Sequence, residues 1–139
     1  MQALGRLALW QIAMKPGKPF AYGTVGRAHF IGLPGNPVSS FMTFVLLVRP
    51  FLLRLQGAAR LEVPPLLLPA RFAWPRADKR REFLRARRTD DGGLALFPNQ
   101  GSGVLTSMVW GDGVIDVPAG VTVAPGDPVR FLPFAELLA

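Results

Sequence analysis

Two short stretches hold side chains able to grip an anion. In KPGKP, Lys15 and Lys18 flank a Pro16-Gly17 pair. Two ammonium groups therefore converge on a turn with little backbone freedom. The second stretch is IGLPGNPVSS, Ile31 to Ser40. Pro37 suits the first position of a helix, where no amide donor is needed. Asn36 before it is a good N-cap whose side chain accepts from a free amide. Gly32 and Gly35 permit backbone angles or close approaches that a Cβ blocks. The whole reads as strand, rigid loop and helix start. A helix N-terminus presents unpaired amides and the positive end of the dipole to an anion, and Ser39 and Ser40 in the first turn add hydroxyls. Each feature also has a plainer reading: loop lysines in water, and an ordinary β-to-α connection.

The other reactive residue types are few. There is no cysteine and one histidine, His29. Disulfides, thiolate metal sites and cysteine nucleophiles are excluded, which is compatible with a reducing cytoplasm. His29 lies within a strand-like run and reads as structural. The formal net charge is +7, which attracts anions such as nucleic acid, acidic lipid, phosphate or an oxyanion. Arg80, Arg81, Arg85, Arg87 and Arg88 crowd one segment. As a small basic binding module, this segment would contact nucleic acid. Only Phe83 lies among those arginines, so a platform for stacking bases is poorly supported. Trp10, Trp74 and Trp110 read as core or interface residues.

The elements that must position these groups follow from pattern and punctuation. Leu7 to Met14, Phe20 to Val25 and Ala28 to Leu33 read as strands, the last two joined by a tight turn at Gly26-Arg27. Val38 to Gln56 is apolar nearly all round. Arg49 and Pro50 interrupt it before the ~20 residues a bilayer span needs. A buried helix, kinked near Pro50 and ended by Gly57, fits better than a membrane segment. The N-terminus has no small-residue cleavage site and does not read as a signal peptide. A boundary falls between about residues 57 and 65, where prolines begin to punctuate the chain. Strand-like runs follow at Leu66 to Trp74, Glu82 to Thr89, Leu94 to Phe97, Gly113 to Val117 and Pro128 to Phe134, with a hairpin signal at Asp90-Asp-Gly-Gly93. The expected fold is α/β over residues 1–57, followed over residues 62–139 by a small antiparallel β-barrel or sandwich.

MKPGKPFAYG followed by IGLPGNPVSSFMTFVLLVRPFL resembles the molybdopterin molybdenumtransferases, the MoeA and gephyrin E-domain family. REFLRARR, LFPNQGSGVLTSM and DGVIDVPAG are similar to that family's C-terminal β-barrel. The resemblance implies a C-terminal portion: the later half of the α/β molybdopterin-binding domain, then the barrel. It implies a transferase of molybdenum cofactor biosynthesis that inserts molybdate into adenylylated molybdopterin, releases AMP and uses magnesium. It places the molybdate-contacting groups at Lys15, Lys18, Pro19, Ser39, Arg85 and Ser107, with Arg81 the competing choice for the arginine. Gly35, Asn36 and Pro37 would shape the loop. The family's dimeric site implies a cytoplasmic homodimer in which Arg85 and Ser107 meet Lys15 only across the subunit interface. No membrane partner is implied, and the ligand is a small anion rather than nucleic acid.

The family's Gly-Gly-x-Ser-x-Gly-Asp-type loop and the acidic residues that serve pyrophosphate and magnesium find no match in the sequence. Asp78, Asp90, Asp91, Asp112 and Asp127 sit at loops and turns instead. No catalytic base, nucleophile or metal ligand is assigned, and the chain alone is expected not to complete the reaction. A dimerising remnant without chemistry is a third reading.

Overall fold

The computed structural model describes residues 6–9, 14–16, 21–59, 61, 63–101 and 106–138. Three strands, β1 (Arg6–Leu9), β3 (Ala21–Val25) and β4 (Ala28–Gly32), form an antiparallel sheet in the order β1-β3-β4. Val25 pairs with Ala28, so β3 and β4 are joined by the expected two-residue turn, and Gly26 supplies its positive φ of 59°. The single strand expected from Leu7 to Met14 is instead β1 and, beyond residues 10–13, a two-residue β2 (Met14–Lys15) that belongs to a different sheet.

The chain is helical from Pro37 to Leu55. It runs as α1 (Pro37–Thr43), a π turn (Phe44–Val48) and α2 (Arg49–Leu55). Pro37 occupies the first turn as its sequence predicts. Pro50 does not end the helix. It lacks an amide and its ring crowds the preceding turn, and the wider π turn just before it relieves both constraints. The helix is therefore uninterrupted and, by length and composition alone, long enough to cross a membrane; a third of it is buried against the rest of the chain. The helix ends as Gly57 predicts. Gly57 has φ 82°, its amide donates to Arg54 O at 3.0 Å, and the Ala58 amide donates to Leu53 O at 3.0 Å. These two bonds form a Schellman cap.

The larger sheet has six strands. Its path is β2, β6 (Arg81–Arg88), β8 (Gly113–Val117), β9 (Pro128–Pro133) and β5 (Leu66–Pro69), with β7 (Leu94–Leu96) beside β6. Two short helices, α3 (Thr106–Trp110) and α4 (Phe134–Leu137), flank it. The run expected to be one strand from Leu66 to Trp74 stops at Pro69, where a missing amide ends the ladder; Ala70 and Trp74 make only isolated bridges to Leu94 and Val123. The expected closed barrel is not found. A single parallel bridge from Ala70 to Leu94, with the Arg71 amide on Leu94 O at 2.8 Å, draws the two ends together without a strand ladder. The sheet stays open and curls around one core that includes Leu84, Leu94, Ile115, Val129 and Phe131.

A second core fills the space between helix and sheet. Val38, Met42 and Val45 pack with Phe83, Val114, Leu132 and Leu137, and Met14 of β2 joins them. Both faces of β6 are thus covered, one by each core. Strand alternation predicts Arg81, Arg85 and Arg87 on one face. The helix covers the middle of that face through Phe83, so Arg85 is buried while Arg81 and Arg87 toward the strand ends stay exposed.

Candidate functional site

The short strand β2 pairs in parallel with β6, placing Lys15 opposite Glu82. The first turn of α1 brings Ser39 to the same place, buried at 3% exposure. Together they form a pocket of about 290 Å³ whose lining includes Lys15, Ser39, Trp74, Glu82, Arg85 and Gln100. Groups distant in sequence meet there because β2 pairs with β6 while the helix packs on the same strand.

Arg85 is the largest fully buried side chain among the described residues, at 1% exposure. Its Nε donates to Ser107 Oγ at 3.1 Å and its Nη1 to Phe83 O at 3.1 Å. Its Nη2 donates to Gln100 O at 2.5 Å and to Gly101 O at 3.2 Å. Gln100 braces the same strand: its Oε1 accepts from the Arg85 amide and its Nε2 donates to Arg85 O, both at 2.9 Å. All these acceptors are neutral. Among the described residues no carboxylate lies within ion-pair distance of Arg85. Burial lowers the guanidinium to about 10.

Lys15 is held differently. Its ammonium lies 3.7 Å from Asp78 Oδ2 and 3.8 Å from Glu82 Oε2. Glu82 is 3% exposed, and its other oxygen accepts from Trp74 Nε1 at 3.2 Å. Asp78 also accepts from the Arg80 amide at 2.8 Å, and that bond holds its carboxyl below the ordinary value.

Lys15, Ser39 and Arg85 share one pocket, and Ser107 on α3 contacts Arg85. They do so within a single chain, not only across an interface, because the β2–β6 pairing carries Lys15 to the sheet. The two candidate arginines lie in different surroundings. Arg81 makes a two-pronged ion pair with Asp116, Nε to Oδ1 at 2.7 Å and Nη2 to Oδ2 at 2.5 Å, and lines a different cavity. Lys18 and Pro19 lie outside the described residues. Pro37 opens the helix, but Asn36 makes no side-chain cap: its Oδ1 is buried without a hydrogen-bond partner. Its backbone carbonyl instead accepts from the Ser40 amide at 2.8 Å. Gly35 has neither a positive φ nor a crowded Cβ position. The close approach falls at Gly32, where a Cβ would meet Ala21 Cβ at 3.2 Å.

Glu82 and Gln100 were not singled out by sequence, and Trp74 was read only as a core or interface residue. Glu82 stands three positions before Arg85, but only the parallel register opposite Lys15 brings it to the pocket, and that pairing leaves no local signal. The basic segment also differs from its sequence reading. Arg81 stacks on Phe83 at 5.1 Å, Arg87 on Trp110 at 5.9 Å and Arg88 on Phe131 at 5.4 Å. Two of those rings come from other elements, and each of the three already carries a guanidinium where a base would stack. Among the described residues no group of three or more His, Asp or Glu side chains could hold a metal ion.

Comparison with known proteins gives this geometry a context. Residues 68–134 match the family described as MoeA C-terminal region (domain IV), and residues 2–54 match the family described as Probable molybdopterin binding domain. A molybdopterin molybdenumtransferase from Haemophilus influenzae is 34% identical over 145 residues, covering 99% of this chain and 36% of that protein. One from Synechococcus elongatus is 32% identical, covering 86% of this chain and 30% of that protein. The chain thus spans about a third of the length of these curated relatives. A molybdenum cofactor biosynthesis protein from Pyrococcus furiosus superposes with a TM-score of 0.77 at 28% identity, over 91% of this chain and 45% of that one. A molybdopterin biosynthesis moeA protein of Pyrococcus horikoshii superposes with a TM-score of 0.76 at 27% identity, over 90% and 32%.

Proposed function

Because this chain belongs to the MoeA family of molybdopterin molybdenumtransferases, we propose that the Lys15–Ser39–Arg85 pocket is the molybdate-contacting part of a molybdenum insertase. The family works in molybdenum cofactor biosynthesis. The finer reading is insertion of molybdate into adenylylated molybdopterin with release of AMP. One observation carries it: a buried guanidinium with only neutral acceptors faces a pocket that also holds a lysine and a serine. Molybdate is a tetrahedral dianion. Arg85 offers it a fixed positive charge that no carboxylate among the described residues neutralises and the remaining Nη1 donor, Lys15 a mobile point charge, and Ser39 a hydroxyl in the first turn of a helix. Ser107 holds the Arg85 Nε, so the fork cannot rotate away from the pocket. Water is largely excluded around Arg85, and each charge–dipole contact there is stronger than in bulk solvent.

The residues of this chain bind and orient; none of those described acts as acid, base or nucleophile. Magnesium and the groups that hold the pyrophosphate belong, on this proposal, to the part of the relatives that the chain does not span. The chain alone is therefore not expected to release AMP. A cytoplasmic homodimer is part of the same proposal, and sedimentation at micromolar concentration checks it.

Isothermal titration with molybdate, using sulfate as competitor, tests the pocket. Saturable binding is expected for the wild type, weakened at least about tenfold by Lys15→Ala and again by Arg85→Gln, each such step being about 1.4 kcal/mol. Binding that survives both substitutions in folded protein moves the anion site elsewhere.

A further inference from the structure

We infer that Glu82 is an affinity-limiting residue: a resident carboxylate that competes with the incoming oxyanion for Lys15 and keeps the pocket from holding its cargo too tightly. The inference rests on the oxyanion reading of the pocket and assigns a role to a residue that reading does not need. An anion site gains nothing electrostatically from a carboxylate in its wall. Yet Glu82 is 3% exposed and lines the same pocket as Lys15 and Arg85.

Stability does not account for it. A buried carboxylate is repaid only by close partners, and here the cation is the half-exposed Lys15 at 3.8 Å, too far for a strong direct hydrogen bond. Nor is the carboxylate a stray rotamer. Trp74 Nε1 donates to Oε1 at 3.2 Å, which fixes Glu82 and turns Oε2 toward the lysine. Asp78 Oδ2, 3.7 Å from the same ammonium, makes a second and more exposed competitor. Lys15 is thus shared between two carboxylates while Arg85 has none. An entering tetrahedral anion meets the Arg85 charge, which no carboxylate among the described residues neutralises, and must then draw Lys15 away from Glu82.

A site that passes its anion to a second reactant needs this restraint. Binding that is equally strong before and during transfer slows the hand-over without lowering its barrier. The competition is electrostatic, so it acts on tetrahedral dianions alike and leaves discrimination by size to the pocket walls.

The test is titration calorimetry of the whole chain with molybdate and, separately, with sulfate, for wild type, Glu82→Gln and Asp78→Asn, alongside thermal melts. Glu82→Gln keeps the acceptor for Trp74 and removes the charge. It is expected to tighten both anions by at least about tenfold, and Asp78→Asn by about threefold. If Glu82 merely positions Lys15, Glu82→Gln will bind equally or more weakly while melting like wild type, and the inference is overturned. Should Glu82→Gln fail to fold, Asp78→Asn decides alone: affinity no higher than wild type overturns the inference. The two levels of reading separate cleanly. Wild-type binding without tightening in the variants sinks only the role of Glu82. Absence of saturable binding in wild type and variants alike sinks the oxyanion pocket with it.

Discussion

Arg85 carries a charge to a place water scarcely reaches, and this has opposite consequences for folding and for binding. Burial lowers its pKa to about 10, well below the ordinary value of a guanidinium. Between those values the unfolded chain holds the proton that the folded chain has released, so stability from this group rises with pH across that window. Below about 10 the full cost of burying the charge is present. Anion binding runs the other way: the charged fork exists below about 10 and is lost above it. The gap in molybdate affinity between wild type and Arg85→Gln should stay flat from about pH 6 to about pH 9 and shrink as pH passes about 10. A gap that persists undiminished well above that point would show that the guanidinium charge is not what the anion meets. Lys15 and Ser39 were legible in motifs whose residue types announce anion chemistry, whereas Arg85 was singled out only through the family resemblance, with Arg81 beside it. Glu82 and Trp74 were not legible, because a carboxylate and an indole join an anion pocket only through tertiary pairing. Asn36 was misread for a related reason: a good capping residue caps only if its side chain turns back to the helix, and here it does not.

At the scale of elements, punctuation was read well and continuity less well. The turn at Gly26, the helix start at Pro37 and the stop at Gly57 each depend on one residue's backbone rules, which local sequence states openly. The π turn before Pro50 and the end of β5 at Pro69 depend on whether neighbours tolerate a missing amide, which it does not state. Two glycines separate these kinds of constraint. Gly57 has φ 82° with nothing within 4 Å of its Cβ position. Gly57→Ala therefore costs only the left-handed conformation, about 1 kcal/mol, and lowers the melting temperature by about 3–5 °C. At Gly113 a Cβ would collide with the Leu132 carbonyl oxygen and come within 2.8 Å of the Phe131 ring. Gly113→Ala must push β8 and β9 apart, so a loss of about 3 kcal/mol or more is expected. Thermal melts of the two variants check the order. Equal effects would mean that the β8–β9 ladder yields more easily than its packing implies.

Across the whole molecule, composition announces a change of character near residue 57, and the structure bridges that change twice. Met14 and Lys15 pair with β6, and the helix that follows the IGLPGNP loop packs on the same strand through Phe83. Neither contact is visible locally: one is a parallel pair two residues long, and the other joins residues far apart in sequence. The open sheet was equally hidden, since closure depends on register at a single bridge. The pocket exists because of these crossings, so its integrity and the stability of the fold are linked. Met42 is fully buried where helix meets sheet. Met42→Ala is expected to cost about 2–5 kcal/mol, lowering one shared transition rather than unfolding the helix alone. Calorimetry of wild type and variant decides between these outcomes. A single peak that moves to lower temperature supports one cooperative unit. A peak that splits, leaving the sheet's transition in place, would show that the helix docks on a sheet that folds without it, and that Ser39 reaches the pocket only after docking.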